Sequence, residues 1–419
     1  MIRKGHLYLF LFSFLATIAI VSCNPRKRTI TYNEVQSPPP IKEVVADTPK
    51  TVDPSVEIPD TFEILILMPF ELKENFTFDT TDIFFNIRPN SIPAVHFYEG
   101  AELAAEELTK QGITVNLTAL ESPADSSRLD RITRSSMWKK ADFVIGKVLP
   151  ALTGQLARRA ASDQKQLVLT QAVDPSVLEG NSNVMIFHAS TISQCTSMAE
   201  YLAKNFSDSQ ISVVTRKVNR EDYLGQLFIE VIKNANPYQR IVEFNATQKT
   251  VEDLLPELSI IKHNVVLIAS SDEAFVSPYI SGLNGIEDIE YVTIAGLPTW
   301  QEFESINFMQ YDSLELYLFE NNFIDRDLQP LKEFRTRFVE RYYADPAPSG
   351  YSGYLAVKEL CMASSARGEV SVSAVTDIGF SGLTPYFRFV QADSSGGYEN
   401  RAVSILKLEH YQLKVQDQP

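Results

Sequence analysis

Short apolar runs alternate with helical stripes along most of this chain. The run Phe62-Glu63-Ile64-Leu65-Ile66-Leu67-Met68-Pro69-Phe70 has the length and continuity of a strand buried on both faces, and a proline ends it. Residues 97–108 then place Ala101, Leu103, Ala104, Ala105 and Leu108 near helical spacing before Gly112 stops them, and 113–120 alternates like the next strand. This is a βαβ unit, and the chain repeats it. A strand at 141–146, a helix at 151–160, strands at 166–170 and 184–188, a helix at 193–206 and a strand at 211–215 follow. A second series runs through a helix at 221–235, a strand at 240–245, a helix at 251–261 and strands at 264–269 and 291–296, with 316–318 a shorter apolar run. Helices at 331–343 and 351–365 come next. At the end, 387–390 and 401–408 flank Ser394-Ser395-Gly396-Gly397, the pattern of a β-hairpin with a glycine turn.

Two series of βα units predict an α/β protein of two doubly wound parallel-sheet lobes with a cleft between them and a C-terminal β-hairpin. Ligands bind outside the carboxyl ends of such strands, so the cleft is the expected site. The connection 71–96 is long for a strand-to-helix loop, which usually takes ~2 to 6 residues. It mixes Glu71, Glu74, Asp79 and Asp82 with Phe76, Phe78, Phe84 and Phe85. A lid over the strand ends and a surface insertion with its own small core both fit that composition.

The first residues bear on compartment. Arg3 and Lys4 precede an apolar run over 7–21, and Ile20-Val21-Ser22-Cys23 resembles the lipobox of bacterial lipoproteins. The resemblance implies a signal peptide over 1–22, lipid on Cys23, and a protein tethered to a bacterial membrane, the outer membrane facing the periplasm, without a spanning helix. Residues 23–60, with Arg26-Lys27-Arg28 and Pro38-Pro39-Pro40, lack core periodicity and read as a lipidated, disordered tether. Cutting before Cys23 removes Arg3 and Lys4 and no acid, which takes the formal charge from −15 to −17. Nucleic acid is excluded as a partner on that charge. Cys195 and Cys361 are too few for a disulfide-stapled scaffold, and buried thiols or one bridge both remain open.

Catalytic patterns are thin. Ser136 with Lys139 and Ser162 with Lys165 both match Ser-x-x-Lys, but neither has the Ser-Asp-Asn or Lys-Thr-Gly elements that accompany it in acyl-transfer enzymes. The five histidines are scattered without metal-ligand spacing, and no phosphate-binding glycine loop occurs. The chain reads as a non-enzyme with no cofactor and no metal. Trp138 reads as core. Trp300 follows an apolar strand, on a loop expected to face the cleft.

The segments 64–70, 97–104, 141–146, 334–343 and Gly350-Tyr351-Ser352-Gly353-Tyr354 resemble, in order and rough spacing, the type I periplasmic binding proteins, which include the amino-acid receptors of ABC importers. The resemblance covers nearly everything after residue 61 and is nearest to a group often fused to peptidoglycan-binding LysM modules. It implies lobes joined by three crossing segments: one lobe from 62–188 plus 319–378, the other from 189–318 plus 379–419. It also implies a small polar ligand of the amino acid or peptide class, with candidate contacts at Met68, Phe70, Lys147, Thr170, Gln171, Tyr223, Ser271, Asp272 and Trp300. The loop that carries a serine in such receptors reads Gly146-Lys147-Val148-Leu149-Pro150 here, without the hydroxyl. Two functions follow. One is a solute receptor that serves a permease. The other is a non-transporting scaffold lipoprotein that contacts a cell-wall synthase in envelope or peptidoglycan assembly.

Overall fold

The computed structural model describes residues 61–75, 87–284, 292–305, 315–321, 323–324, 328–378 and 387–417. Its first sheet is built from β1 (Thr61–Met68), β2 (Thr114–Glu121), β3 (Phe143–Gly146), β4 (Gln166–Leu169) and β5 (Val184–Ile186), parallel and in the order β2-β1-β3-β4-β5. The period-2 pleat explains why β1 is apolar on both sides from Ile64 to Met68. Phe62, Ile64, Ile66 and Met68 join one core with the helices Ile92–Lys110 and Pro348–Arg367, while Leu65 and Leu67 join another with Ser126–Arg134 and Pro150–Ser162. Both faces are covered, as a parallel sheet requires.

The second sheet repeats the order. β6 (Gln210–Thr215), β7 (Arg240–Asn245), β8 (Asn264–Ile268), β9 (Val292–Ala295) and β10 (Glu315–Glu320) run parallel as β7-β6-β8-β9-β10. Each sheet therefore has its topological switch point beside its first strand, between β1 and β3 and between β6 and β8.

The C-terminal strands differ from the expected single hairpin. β11 (Phe389–Gln391) pairs antiparallel with β12 (Tyr398–Asn400) across the glycine turn, and β12 lies parallel to β5 in the first sheet. A separate hairpin, β13 (Ser404–Glu409) with β14 (Gln412–Asp417), extends the second sheet antiparallel to β10. Both sheets are thus mixed and seven-stranded, and the segment expected wholly in the second lobe is divided between the two. The cause is local. Gly397 N–H donates to the Leu178 carbonyl at 2.8 Å, and a Cβ on Gly397 would lie 2.2 Å from the Val184 carbonyl, so the turn is seated against β5.

Two helices also differ from expectation. Ile92–Lys110 starts five residues before 97 because Pro93 occupies the first turn, where its missing N–H costs nothing. With a short helix at Leu72–Asn75, this leaves less loop than 71–96 implied, and the lid or insertion expected of Phe76 to Phe85 lies outside the described residues. The helix expected over 251–261 ends at Leu254 and continues as a 3₁₀ turn, Leu255–Glu257, around Pro256. Ile260 and Ile261, which supplied the later apolar positions, are exposed.

The helices Ile92–Lys110 and Pro348–Arg367 cross at backbone contact. A Cβ on Gly100 would stand 2.0 Å from the Gly350 carbonyl oxygen, and one on Gly353 2.0 Å from that of Phe97. Below the crossing, Glu107 accepts from Lys358 Nζ at 2.6 Å, Tyr354 Oη at 2.7 Å and Arg337 Nη1 at 2.6 Å. Burial alone would raise that carboxyl, but these donors hold it at about 2.

The chain passes between sheets after β5, after β10 and between β12 and β13, giving three crossings. Buried Asn321 ties them together. Its Oδ1 accepts from Ala189 N–H at 2.9 Å, and its Nδ2 donates to the Ala402 carbonyl at 2.6 Å. Glu399, also buried, accepts from Ser190 N–H at 2.7 Å and Ser193 Oγ at 2.9 Å, with Arg401 Nε at 3.2 Å on its other oxygen.

Candidate functional site

The first lobe's crevice is made by the loops after β1, β3 and β4. The Met68 carbonyl accepts from Phe70 N–H and from Ser122 N–H, each at 2.9 Å. Its thioether is buried in the core, so the Met68 contribution to the crevice is backbone, and Phe70 packs half-buried on that same core. Lys147 follows the last residue of β3. Its N–H donates to the Leu67 carbonyl at 2.9 Å, and its carbonyl accepts from Ser122 Oγ at 2.6 Å. The loop is thereby fixed, while the Lys147 side chain is exposed and has no carboxylate partner among the described residues. Thr170 Oγ1 reaches the Gly146 carbonyl at 3.4 Å, and Gln171 Nε2 donates to the Val148 carbonyl at 2.5 Å. The Gln171 Oε1 atom is buried without a partner among the described residues.

At the crossing beside this crevice stands His188. Burial first, then the Lys147 charge, lower its pKa to about 4 against an opposing hydrogen bond to Asn321, so the imidazole is neutral at physiological pH.

The second lobe's crevice lies between the ends of β6 and β8, and an ion cluster fills it. Arg216 forms a fork to Glu221, with Nε to Oε2 at 3.0 Å and Nη2 to Oε1 at 2.5 Å, and its Nη1 reaches Asp272 Oδ2 at 2.9 Å. Ser270 Oγ donates to Glu221 Oε1 at 2.6 Å, and the Phe275 ring lies 4.6 Å under the guanidinium. The hydrogen bond from Arg216 is the main cause that lowers the Asp272 carboxyl. Its other oxygen accepts from Ala274 N–H at 3.1 Å. Asp272, expected as a ligand contact, therefore already has a cation from its own lobe. Ser271 beside it is exposed.

Tyr223 is also exposed, on the first turns of the helix Asn219–Ala235. Burial first, then Cys195, Asp174 and Glu230, raise its phenol. Asp174 belongs to the loop after β4 in the other lobe, so the two crevices are close enough to share a field. Trp300 differs from expectation. It is fully buried, its Nε1 donates to the Ser270 carbonyl at 2.8 Å, and Gly296 leaves the space its ring occupies. It supports the Ser270 to Asp272 loop from the core side and does not line the cleft. A cavity of about 140 Å³ lies elsewhere, on the flank of β1 and the short helix Ser136–Lys140, lined by Ile64, Thr118 and Met137.

No family model and no curated protein matches this sequence. Solved structures do match its fold. A putative branched-chain amino acid ABC transporter protein from Rhodospirillum rubrum superposes with a TM-score of 0.62 at 13% identity, over 85% of this chain and 99% of that one. A branched-chain amino acid ABC transporter periplasmic ligand-binding protein from Burkholderia xenovorans gives 0.59 at 12%, over 85% and 94%. An ABC transporter substrate-binding protein from Desulfitobacterium hafniense, in complex with Leu, gives 0.54 at 16%, over 85% and 99%. The fold is that of a type I periplasmic binding protein.

Within the periplasmic binding protein fold, the strand-end loops of both lobes carry most of the residues that the sequence singled out. Arg216, Glu221, Ser270 and Asn321 were not among them. Arg216 directly follows the apolar run of β6 and Glu221 stands five residues on. That spacing of a strand-end cation and a first-turn acid is the one local signal for the pair.

Proposed function

We propose that this chain is a solute-binding receptor that closes its two lobes on a small molecule and serves an ABC permease. The carrying observation is the pairing of two switch-point crevices, one at Lys147 and one at Arg216 and Asp272, on lobes joined by a hydrogen-bonded triple crossing. Lys147, Thr170, Gln171, Tyr223, Ser271 and Asp272 are the contacts this reading assigns. Met68 supplies backbone and Phe70 an apolar wall. One of the structures above is in complex with Leu and two are named for branched-chain amino acids, and a small polar ligand of the amino acid or peptide class is what this reading carries over. Binding is the whole of the proposed chemistry, without a catalytic step.

Lipid on Cys23 and a tether over 23–60 belong to the same proposal, with the receptor held at the outer membrane and facing the periplasm. No helix among the described residues is long and apolar enough to cross a membrane. Cys23→Ser is expected to move the protein from the membrane fraction to the soluble one, and intact-mass measurement of the wild type to show the lipid.

Small-angle scattering with and without ligand tests the receptor reading. Compaction by a small molecule, lost in Tyr223→Ala, supports it. An unchanged profile across amino acids, short peptides and carboxylic acids, together with recovery of a cell-wall synthase in a pull-down, would overturn it in favour of the scaffold function.

A further inference from the structure

One flank of the first lobe runs against the overall sign of the molecule. The formal charge is −15, yet the helices Ser126–Arg134, Ser136–Lys140 and Pro150–Ser162, which cover one face of the first sheet, carry seven bases and one acid. The helices on the opposite face, Ile92–Lys110, Gln329–Tyr342 and Pro348–Arg367, carry seven of each. A solvated layer mixes its signs in that second way, and the first is one-sided.

The bases gather at one end of the layer. Arg131, Arg134, Lys139, Lys140, Arg158 and Arg159 fall in the second half of their helices, toward the amino-terminal ends of β3 and β4 and away from the cleft. Contacts tie them into one surface. Trp138 Nε1 and Arg159 Nε both donate to Asp163 Oδ2 at 2.8 Å, and Lys165 Nζ donates to the Lys139 and Ala141 carbonyls at 2.7 and 2.8 Å. The acids nearby are engaged: Asp130 accepts from Gln155 Nε2 at 3.3 Å, Glu63 from Lys140 Nζ at 2.5 Å, Asp142 from Glu63 N–H at 2.8 Å, and Asp125 caps its helix through Arg128 N–H at 2.8 Å. Glu179 and Asp393 belong to the loops beside β5, past the last of these helices. Arg131, Arg134, Lys139 and Arg158 are exposed and have no carboxylate partner among the described residues.

This end is also where the chain enters the fold. Thr61 opens β1, and Glu63, two residues on, is bridged to Lys140. A lipid on Cys23 would therefore be carried by a segment that joins the molecule at the border of the basic layer. Met137, exposed between Ser136 and Lys139, adds an apolar side chain beside the hollow lined by Ile64 and Thr118.

We infer that this basic face of the first lobe rests on an anionic phospholipid bilayer, the surface to which the lipid anchor proposed above holds the chain; the inference rests on that anchor. The cations meet lipid phosphates, and the strand ends that form the cleft stay on the side away from the bilayer. The acids of the second lobe do not cancel the contact, because the screening length at physiological ionic strength is about 8 Å.

Vesicle flotation of the mature chain, residues 23–419, tests it, with Cys23→Ser in place so that lipid does not hold the protein. Binding is expected to vesicles of phosphatidylcholine with phosphatidylglycerol, to vanish on phosphatidylcholine alone and to fall at high salt. Replacing Arg131, Arg134, Lys139 and Arg158 by Gln is expected to weaken it at least about fivefold, and replacing Lys204, Lys233, Lys249 and Lys262 of the second lobe by Gln to leave it within about twofold. A second measurement needs no variant: on the same vesicles, acylation of the Lys139 amine in the lipidated wild type should slow at least about fivefold, with Lys262 unchanged. Equal losses in the two quadruple variants, or loss only on replacing Arg26, Lys27 and Arg28 by Gln, would overturn the inference, the latter by placing the contact in the tether. Binding to polyglutamate with none to vesicles would overturn it in favour of an acidic protein partner. If intact mass shows the lipid while no vesicle binding occurs, the anchor stands and the face does not; face-dependent binding without the lipid supports the face and removes the anchor.

Discussion

At the scale of single residues, Arg216 decides the character of the second crevice. It neutralises one buried acid and holds a second, exposed one. Arg216→Met is expected to lower stability by about 2 to 4 kcal/mol in urea denaturation, because Glu221 is left nearly buried without a counter-charge. The figure stands below that of a fully buried pair because the guanidinium is partly exposed. Adding Glu221→Gln should recover part of the loss. Another buried acid, Glu359, sits in the helix Pro348–Arg367 with Oε1 unpartnered among the described residues, and burial, against the opposing charge of Lys358, raises it from 4.5 to about 7. The unfolded chain releases that proton at the lower pH and the folded chain at the higher, so stability is complete below about 4.5 and declines up to about 7. Thermal melts of Glu359→Gln should therefore match the wild type at pH 4 and exceed it at pH 8, by the equivalent of about 1 to 3 kcal/mol.

Among elements, the crossing of Ile92–Lys110 with Pro348–Arg367 has the least slack. Gly353→Ala must push the Phe97 carbonyl away, and a cost of about 1 to 3 kcal/mol or more is expected in chemical denaturation. The helices and parallel strands were legible because their apolar positions follow periods of 3.6 and 2. The hairpin across the glycine turn was legible as a hairpin, but its sheet and the second hairpin were not, because alternation states that a segment pairs but not with which sheet. Residues 401–408 looked like one strand, yet Arg401 to Val403 is a crossing and pairing resumes only at Ser404. Trp300 failed for a related reason: an apolar ring after a strand reads the same whether it faces a cleft or a core. Lys147 and Asp272 were legible as strand-end charges. That Asp272 was already paired depended on Arg216, 56 residues away in sequence.

Across the whole molecule, the three crossings concentrate the coupling between lobes. Asn321→Leu removes the hydrogen bonds to the Ala189 N–H, the Ala402 carbonyl and His188, and leaves the Ala189 N–H and the Ala402 carbonyl buried without partners. A loss of about 2 to 4 kcal/mol is expected, with faster hydrogen exchange at Ala189 and little change at β1 or β6.

The split ending of the chain also has a bearing on timing. The first sheet receives β12 and β11 beside β5, and the second receives β13 and β14 beside β10, all from residues 389–417. A polypeptide emerging from a ribosome at a uniform pace therefore exposes the flank of β5 for some two hundred residues before its neighbour is made. Neither lobe can finish ahead of the other. Completion of both is deferred to one short stretch, residues 389–417, made long after the strands it covers.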